Sequence, residues 1–281
     1  MSSRVGYQVN PRVFWRCYDR VHKGIELGWN EGLKSLLLNT STVLGAETVT
    51  NYLAYSQFRF PKAPTLDDLS FIMIDPRKIT HDFRSMPLPL RGPQAIVGVG
   101  SGYWDKSTIR FDDKPIVKAI RSRFEEGVEW EDTSFYQQAV WRVERGLPAW
   151  NDCSNKEDID RRCHSVDVVY ESIQSNGFRS QSELFLESQE SQASKFTRRV
   201  SDFIVPDEIR LAIGRDGEVI RIAHGRHRLA IATILGVKEI PAIVQLTHAD
   251  WEGTPDDLST APSGDYWIAP ELVHQIVSSP K

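Results

Sequence analysis

Apolar positions follow a helical period in some stretches of this chain and a strand period in others, and the changes between them mark its elements. Between residues 10 and 38, Val13, Cys17, Val21 and Ile25 recur every fourth position and predict a helix. Gly24, Gly28 and Gly32 share that spacing, but Glu26, Asn30, Glu31 and Lys34 interrupt it, which favours a soluble helix contact or a broken helix. Arg12, Arg16, Arg20 and Lys23 beside Phe14 and Trp15 read as a solvated charged face; contact with an anionic membrane surface is the alternative. Residues 56 to 66, with Pro61 and Pro64, read as a connector. Phe71-Ile72-Met73-Ile74 is a short apolar run stopped by Asp75-Pro76, the pattern of a buried strand ended by a turn. Residues 80 to 104 are rich in Pro and Gly and predict an irregular loop, with a short strand at Ala95 to Val99.

Three helices follow. Ile116, Ile120 and Phe124 lie on one face after Pro115, a residue suited to a helix start, and Gly127 is the predicted stop. Asp132 or Thr133 caps the next, with Phe135, Ala139 and Val143 on one side. The third spans Lys156 to Asn176, buries Ile159, Cys163, Val166, Tyr170 and Ile173, and ends at Gly177. Residues 186 to 197 are poor in apolar side chains and predict a loop; the proline-containing tail after Trp251 is expected to be loosely ordered or to lie across the surface.

The period then changes to two. Ile209, Leu211 and Ile213 alternate, Asp216-Gly217 predicts a tight hairpin turn, and Val219, Ile220 and Ile222 form the return strand. His224-Gly225-Arg226-His227-Arg228 leads into a short helix with Leu229, Ile231, Ile234 and Leu235, ended by Gly236. Ile240 to Leu246 is a further strand, entered through Pro241. The class is therefore α+β, with helices and strands mixed along the chain.

Composition narrows the picture without changing it. The chain has 281 residues, 26% charged and 40% hydrophobic, enough for a core without covalent staples. A formal net charge of -4 gives no whole-chain preference for nucleic acid. Cys17, Cys153 and Cys163 have neither disulfide nor zinc spacing and read as small buried residues of a protein in a reducing compartment. His81, His164, His248 and His274 show no metal-ligand spacing, so no metal ligands are assigned. The N-terminus lacks an apolar signal core and no stretch is long enough to span a bilayer, which gives a cytoplasmic expectation. Trp104-Asp105, Trp130-Glu131-Asp132 and Phe135-Tyr136 are expected in the core, the alternative being the wall of a substrate cleft.

The loop before the last helix carries the candidate chemistry. A helix starting near Arg226 presents unpaired N–H groups and a partial positive charge. Gly225 has no side chain to block a ligand, Arg226 and Arg228 add charge, and His227 can donate a hydrogen bond. Together these favour a phosphate group. The alternative is a basic turn paired with acidic surface residues.

The run Asp216-Gly217, Ala223-His224-Gly225-Arg226-His227-Arg228-Leu229-Ala230, Leu235-Gly236-Val237 and Ile240-Pro241-Ala242 resembles the ParB/sulfiredoxin-like superfamily, also called the ParB-like nuclease family. Glu171-Ser172-Ile173 with Gly177 is similar to the family's preceding helix, and Phe71 to Asp75 with Pro76-Arg77-Lys78-Ile79 to its opening strand. The resemblance covers about 80 residues, 166 to 246, plus that strand. It implies three parts: an N-terminal helical region and connector over 1–65, a ParB/sulfiredoxin-like domain over 66–250 with a helical insertion at about 80–160, and a tail over 251–281.

By the same resemblance, Gly225, Arg226, His227 and Arg228 contact phosphate, and Asp75 and Glu171 are the candidate general bases. Arg226 stands where the DNA-partitioning members carry a Glu that helps nucleotide hydrolysis and where sulfiredoxins carry a catalytic Cys. The His227-Arg228 pair matches sulfiredoxin and is similar to the loops of the family's small-molecule kinases and DNA-modification-associated proteins. The implied ligand is a nucleotide, ATP or CTP with Mg²⁺, used by a phosphotransferase or nucleotide hydrolase. Two other readings stand beside it. One is a DNA- or RNA-associated module in which Arg198 and Arg199 join Arg226 and Arg228 on backbone phosphates. The other is a ligand-sensing scaffold without chemistry.

Overall fold

In the computed structural model, the described residues are 69–83, 98–106, 108–147, 149–150, 153–187, 197–200 and 203–260. They lie within the compact unit Gln57–Lys281. The expectations for the first 65 residues, for Cys17 and His274, and for the chain beyond 260 lie outside them.

The strands of the main sheet are β1 (Ser70–Ile74), β2 (His81–Phe83), β3 (Gly98–Gly100), β4 (Thr108–Arg110), β7 (Ile209–Ile213), β8 (Val219–Ala223) and β9 (Ile240–His248). A separate hairpin pairs β5 (Thr197–Val200) with β6 (Phe203–Pro206). The sheet order is β1-β9-β7-β8-β2-β4, and β3 extends the β1 side of β9. The sheet is mixed: β1/β9, β7/β8 and β2/β4 run antiparallel, while β9/β7, β8/β2 and β3/β9 run parallel. The helices are α1 (Pro115–Glu125), α2 (Ser134–Val143), α3 (Lys156–Asn176), α4 (Gln181–Glu187) and α5 (Arg226–Ile234).

Strand alternation sorts the core into two layers. Ile209, Leu211, Ile213 and Val219 point to the face covered by helices, where they join Ile120, Ile159 and Leu229. Ala212, Ile220 and Ile222 point the other way and pack with Phe83, Trp104 and Leu246. Both α1 and α3 pack on α5. Of the residues expected in the core, Trp104, Asp105, Trp130 and Tyr136 are buried and Phe135 is half-buried, whereas Glu131 and Asp132 are exposed on the turn before α2. Cys153 and Cys163 are buried free thiols. Burial pushes both thiols up in pKa, Cys163 to about 12, so they stay protonated and unreactive.

Several predicted boundaries hold. α3 spans Lys156–Asn176, and Gly177 ends it at φ 77°. Of the two candidate caps for α2 the structure uses Thr133, whose hydroxyl accepts the Tyr136 N–H at 3.2 Å. Three readings need correction. The stretch 80–104 holds β2 besides β3, which overlaps the expected strand Ala95 to Val99; the three residues of β2 are too few to show a period. The paired strands β5 and β6, four residues each, are likewise too short to show a period in the sequence. The β7–β8 turn is a three-residue loop: Gly217 N–H bonds the Gly214 carbonyl at 3.0 Å, Gly214 N–H bonds the Glu218 carbonyl at 2.9 Å, and Gly217 takes φ 82°. That is the type I turn with a glycine bulge, so of Asp216 and Gly217 only the glycine needs positive φ.

The start of the tail is ordered on the sheet. Thr260 N–H donates to the Met73 carbonyl at 2.7 Å and Met73 N–H to Ser259 Oγ at 3.3 Å, which satisfies the outer edge of β1.

The topology also gathers chemistry. The pairings Ile74↔Ile240, Ile209↔Ala242, Arg210↔Ala223 and Asp82↔Arg221 bring the C-terminal ends of β1, β2 and β8 to the same sheet edge as the N-terminal ends of β7 and β9. Asp75, Asp82, Glu208 and the loop 224–228 all belong to that edge.

Candidate anion-binding site

The loop between β8 and α5 depends on its glycine for two reasons. Gly225 is the N-cap of α5 at φ 60°, in the left-handed region. A Cβ built there would sit 2.4 Å from Ile209 Cγ1, inside any tolerable contact. The helix therefore starts with its backbone pressed against β7 and with no side-chain cap on its first N–H groups. His224 before it also has positive φ, 53°, which is uncommon for a residue with a side chain.

Beside this helix start sits a carboxylate surrounded by cations. Asp82 and Arg221 are cross-strand neighbours on β2 and β8, and both are buried. Arg221 places Nε 2.9 Å and Nη2 2.6 Å from Asp82 Oδ2, and its Nη1 donates to the His224 carbonyl at 3.0 Å. Arg221 thereby ties the strained loop to the sheet. Arg226 Nε lies 3.4 Å from the same Oδ2. Lys114, the residue before α1, places Nζ 3.5 Å from Oδ1 and donates to the Phe83 carbonyl.

Among the described residues three cations thus face one carboxylate, two more positive charges than negative at the start of the helix. Burial brings Arg221 down to about 10, with Asp82 opposing, so it remains charged at neutral pH. Burial also lowers Lys114, and Arg226 and Arg221 push it the same way. Arg226 is the open member: its side chain is 36% exposed, against 2% for Arg221, and its bond to Asp82 is long.

The other loop residues point elsewhere. Successive helix residues turn by about 100°, so Arg226, His227 and Arg228 fan out. Arg228 Nη2 donates to the Asp207 carbonyl at 2.7 Å and Nη1 lies 3.4 Å from Glu208 Oε2. Glu208 is itself buried and accepts the Gln181 N–H at the start of α4. Burial raises the Glu208 pKa although Arg228 opposes it. His227 lies against Trp150, with ring centroids 5.8 Å apart and edge-on. Burial lowers His227 to about 4, helped by Arg226, Arg162 and Arg221, so its ring is neutral.

Of the sequence-predicted residues, the structure brings Gly225 and Arg226 to the cluster and sends Arg228 to the Asp207–Glu208 corner. Asp75 is held by Arg77, through Nε at 2.9 Å and Nη2 at 2.6 Å. That bond holds its carboxyl below the usual range. Glu171 is exposed on α3. Neither joins the hydrogen bonds and ion pairs of the Asp82 cluster.

Asp82, Lys114 and Arg221 were not singled out in the sequence. Arg221 carried a readable signal, a charged residue inside the apolar strand Val219 to Ile222. Asp82 lay in a stretch read as loop, and Lys114 joins it only through folding.

The arrangement can bind an anion by charge and by backbone N–H donors. Among the described residues no group of three or more His, Cys, Asp or Glu could hold a metal ion. No helix among them is long and apolar enough to cross a membrane. No family model, no curated protein and no solved structure matches the chain.

Proposed function

We propose that this chain is a phosphate-binding protein of the ParB/sulfiredoxin-like kind, taking a nucleotide such as ATP or CTP by its phosphates. The observation that carries the reading is the excess of cations around Asp82 at the uncapped start of α5. A half-buried excess of positive charge is unfavourable alone and is relieved by an anion. The order β8, glycine loop, α5, then β9 entered through Pro241 is the order the resemblance calls for, and supports the reading. Arg226 and the α5 N–H groups are the ligand contacts, Lys114 adds charge from the inserted segment, and Arg221 and Asp82 position the loop. Mg²⁺ would arrive with the nucleotide. Phosphoryl transfer or hydrolysis would rest on positioning and charge stabilisation.

The test is calorimetric titration with ATP, CTP, GTP and a short DNA duplex, with and without Mg²⁺, on the wild type and on Arg226→Ala. The expected result is saturable nucleotide binding that falls about tenfold to a hundredfold in the variant, the loss of a charged hydrogen bond. Unchanged affinity in the variant, or no nucleotide binding, overturns the reading. Binding to DNA alone, falling steeply with salt, would replace it with a nucleic-acid module.

A further inference from the structure

The positive charge does not end at the Asp82 cluster. Near His227, whose pKa it helps to lower, lies Arg162 of α3, with its guanidinium 5.7 Å from the centroid of the Trp150 ring. The same indole meets the His227 ring edge-on. Arg162 Nε is buried without a hydrogen-bond partner. A buried guanidinium N–H without an acceptor is costly and calls for an explanation, such as a ligand that supplies one.

Trp150 is itself held in place. Its short turn is closed by the Ala149–Cys153 bridge, with N–H to carbonyl distances of 3.1 and 2.7 Å, and Cys153 Sγ donates to the Trp150 carbonyl at 3.1 Å. Trp150 has φ 31°; it and His224 are the two residues other than glycine with positive φ among those described. Both strained residues flank the start of α5. Strain of this kind survives where the surroundings impose it, and it concentrates at ligand sites.

We infer that Arg162, backed by Trp150, forms a second anion subsite beside the Arg226–Lys114 subsite, so that the site takes a ligand carrying two or more linked phosphate groups rather than a single phosphate. One phosphate sits at Arg226 and the α5 N-terminus, and a further phosphate of the same ligand at Arg162. The inference rests on the phosphate-binding reading of the first subsite and extends it. It also gives the region before α3 a role: the turn at Trp150 positions the wall behind the second phosphate.

The experiment compares orthophosphate with pyrophosphate, and AMP with ADP, by calorimetry at fixed ionic strength without metal. The proteins are the wild type, Arg162→Gln and Arg162→Lys. In the wild type each diphosphate should bind about tenfold or more tighter than its monophosphate counterpart, the worth of one further charged contact. In Arg162→Gln that gain should vanish while orthophosphate affinity stays within about twofold, and Arg162→Lys, which keeps the charge but not the guanidinium donors, should recover part of it. The ADP arm tells whether a nucleoside adds to the pyrophosphate contacts. If orthophosphate binds but pyrophosphate and ADP show no gain, or Arg162→Gln keeps the gain, the second subsite is wrong and the first stands. If the Gln and Lys variants lose the gain equally and melt equally early, Arg162 acts through packing and the inference fails. If no phosphate species binds the wild type, both readings fall.

Discussion

The two ends of the β7–β8 hairpin each carry a buried aspartate facing an arginine, and the two sites differ in balance. At the turn end, Arg215 grips Asp105 with Nε at 2.8 Å and Nη2 at 2.9 Å, and adds its backbone N–H at 3.1 Å. Its Nη2 also donates to the Gly102 carbonyl at 2.6 Å, and Tyr103 lies 5.1 Å from its guanidinium. Arg215 meets both Asp105 oxygens; Lys106 lies 4.0 Å from the same carboxylate but is held by Asp216 at 3.0 Å, and Asp250 lies 3.9 Å from Arg215, so the charges balance and the pair is a closed latch between the hairpin and the 104–106 turn. At the open end, Asp82 has Arg221 through a single oxygen, with Arg226 and Lys114 drawn to the same carboxylate. A balanced pair supports the fold; a pair with surplus cations leaves charge for a ligand. Counting charges around a buried carboxylate therefore separates the two roles where hydrogen-bond distances do not.

The sharpest break of the comparison is Asp82→Ala. It strands Arg221 in the core beside two other cations, and the expected loss is about 3–5 kcal/mol, read by urea unfolding. Asp105→Ala should cost less, about 1–3 kcal/mol, because Arg215 is nearer the surface and can regain water. Equal costs at the two ends would mean that the Asp82 cluster is a latch as well.

Gly225→Ala combines the left-handed backbone with the clash on Ile209, for an expected loss of about 2–3 kcal/mol. It should also weaken phosphate binding by shifting the start of α5. By contrast, Gly236→Ala meets only the backbone cost, since a Cβ there has open space, and about 1–2 kcal/mol is expected.

A smaller effect separates the arginines. Arg215→Ala should lower stability and leave phosphate affinity unchanged, whereas Arg226→Ala should do the reverse, with stability changed by no more than about 0.5 kcal/mol. Chemical denaturation beside phosphate titration reads both quantities.

The two ends also part in their pH dependence. Burial alone would raise Asp105, but the Arg215 side chain and backbone N–H more than offset it, and the carboxyl ends below its ordinary value. Its contribution is present above the unfolded pKa of about 4 and is lost as pH falls through the lower folded value. His227 has its folded pKa depressed to about 4, so the unfolded chain takes up the proton first as pH falls below about 6.5. Stability should therefore decline between about pH 6.5 and 4, and His227→Gln should remove that slope. A phosphate bound beside the ring would favour its charged form. NMR titration of His227 should then show its pKa rising when phosphate is added; an unmoved value would place the anion elsewhere.

Local residues made much of this fold legible. α3 was readable to its ends because a 21-residue helix repeats its period many times and carries Gly177 as its stop. β7, β8, α5 and β9 followed from alternation and from Asp216-Gly217, Gly225 and Gly236. The short strand β2 gave no such signal, while β3 overlaps the expected strand Ala95 to Val99. The same limit applied to the site. Gly225 and Arg226 lie in one loop and could be read together, while Asp82, Lys114, Trp150 and Arg162 reach that loop from distant parts of the chain.

What the sequence determined by itself was the presence of a basic, glycine-opened helix start after a strand, since backbone freedom and helix polarity are local properties. What only the tertiary structure decided was which charges that helix start meets. Residues adjacent along a helix diverge by about 100°, so Arg226, His227 and Arg228 were separated by folding. Parallel pairing of β2 with β8 put Asp82 beside Arg221, and the packing of α1 and α3 on α5 brought Lys114 and Arg162 to the same end. Charge balance depends on these long-range neighbours, and it is the balance that separates a latch from a binding site.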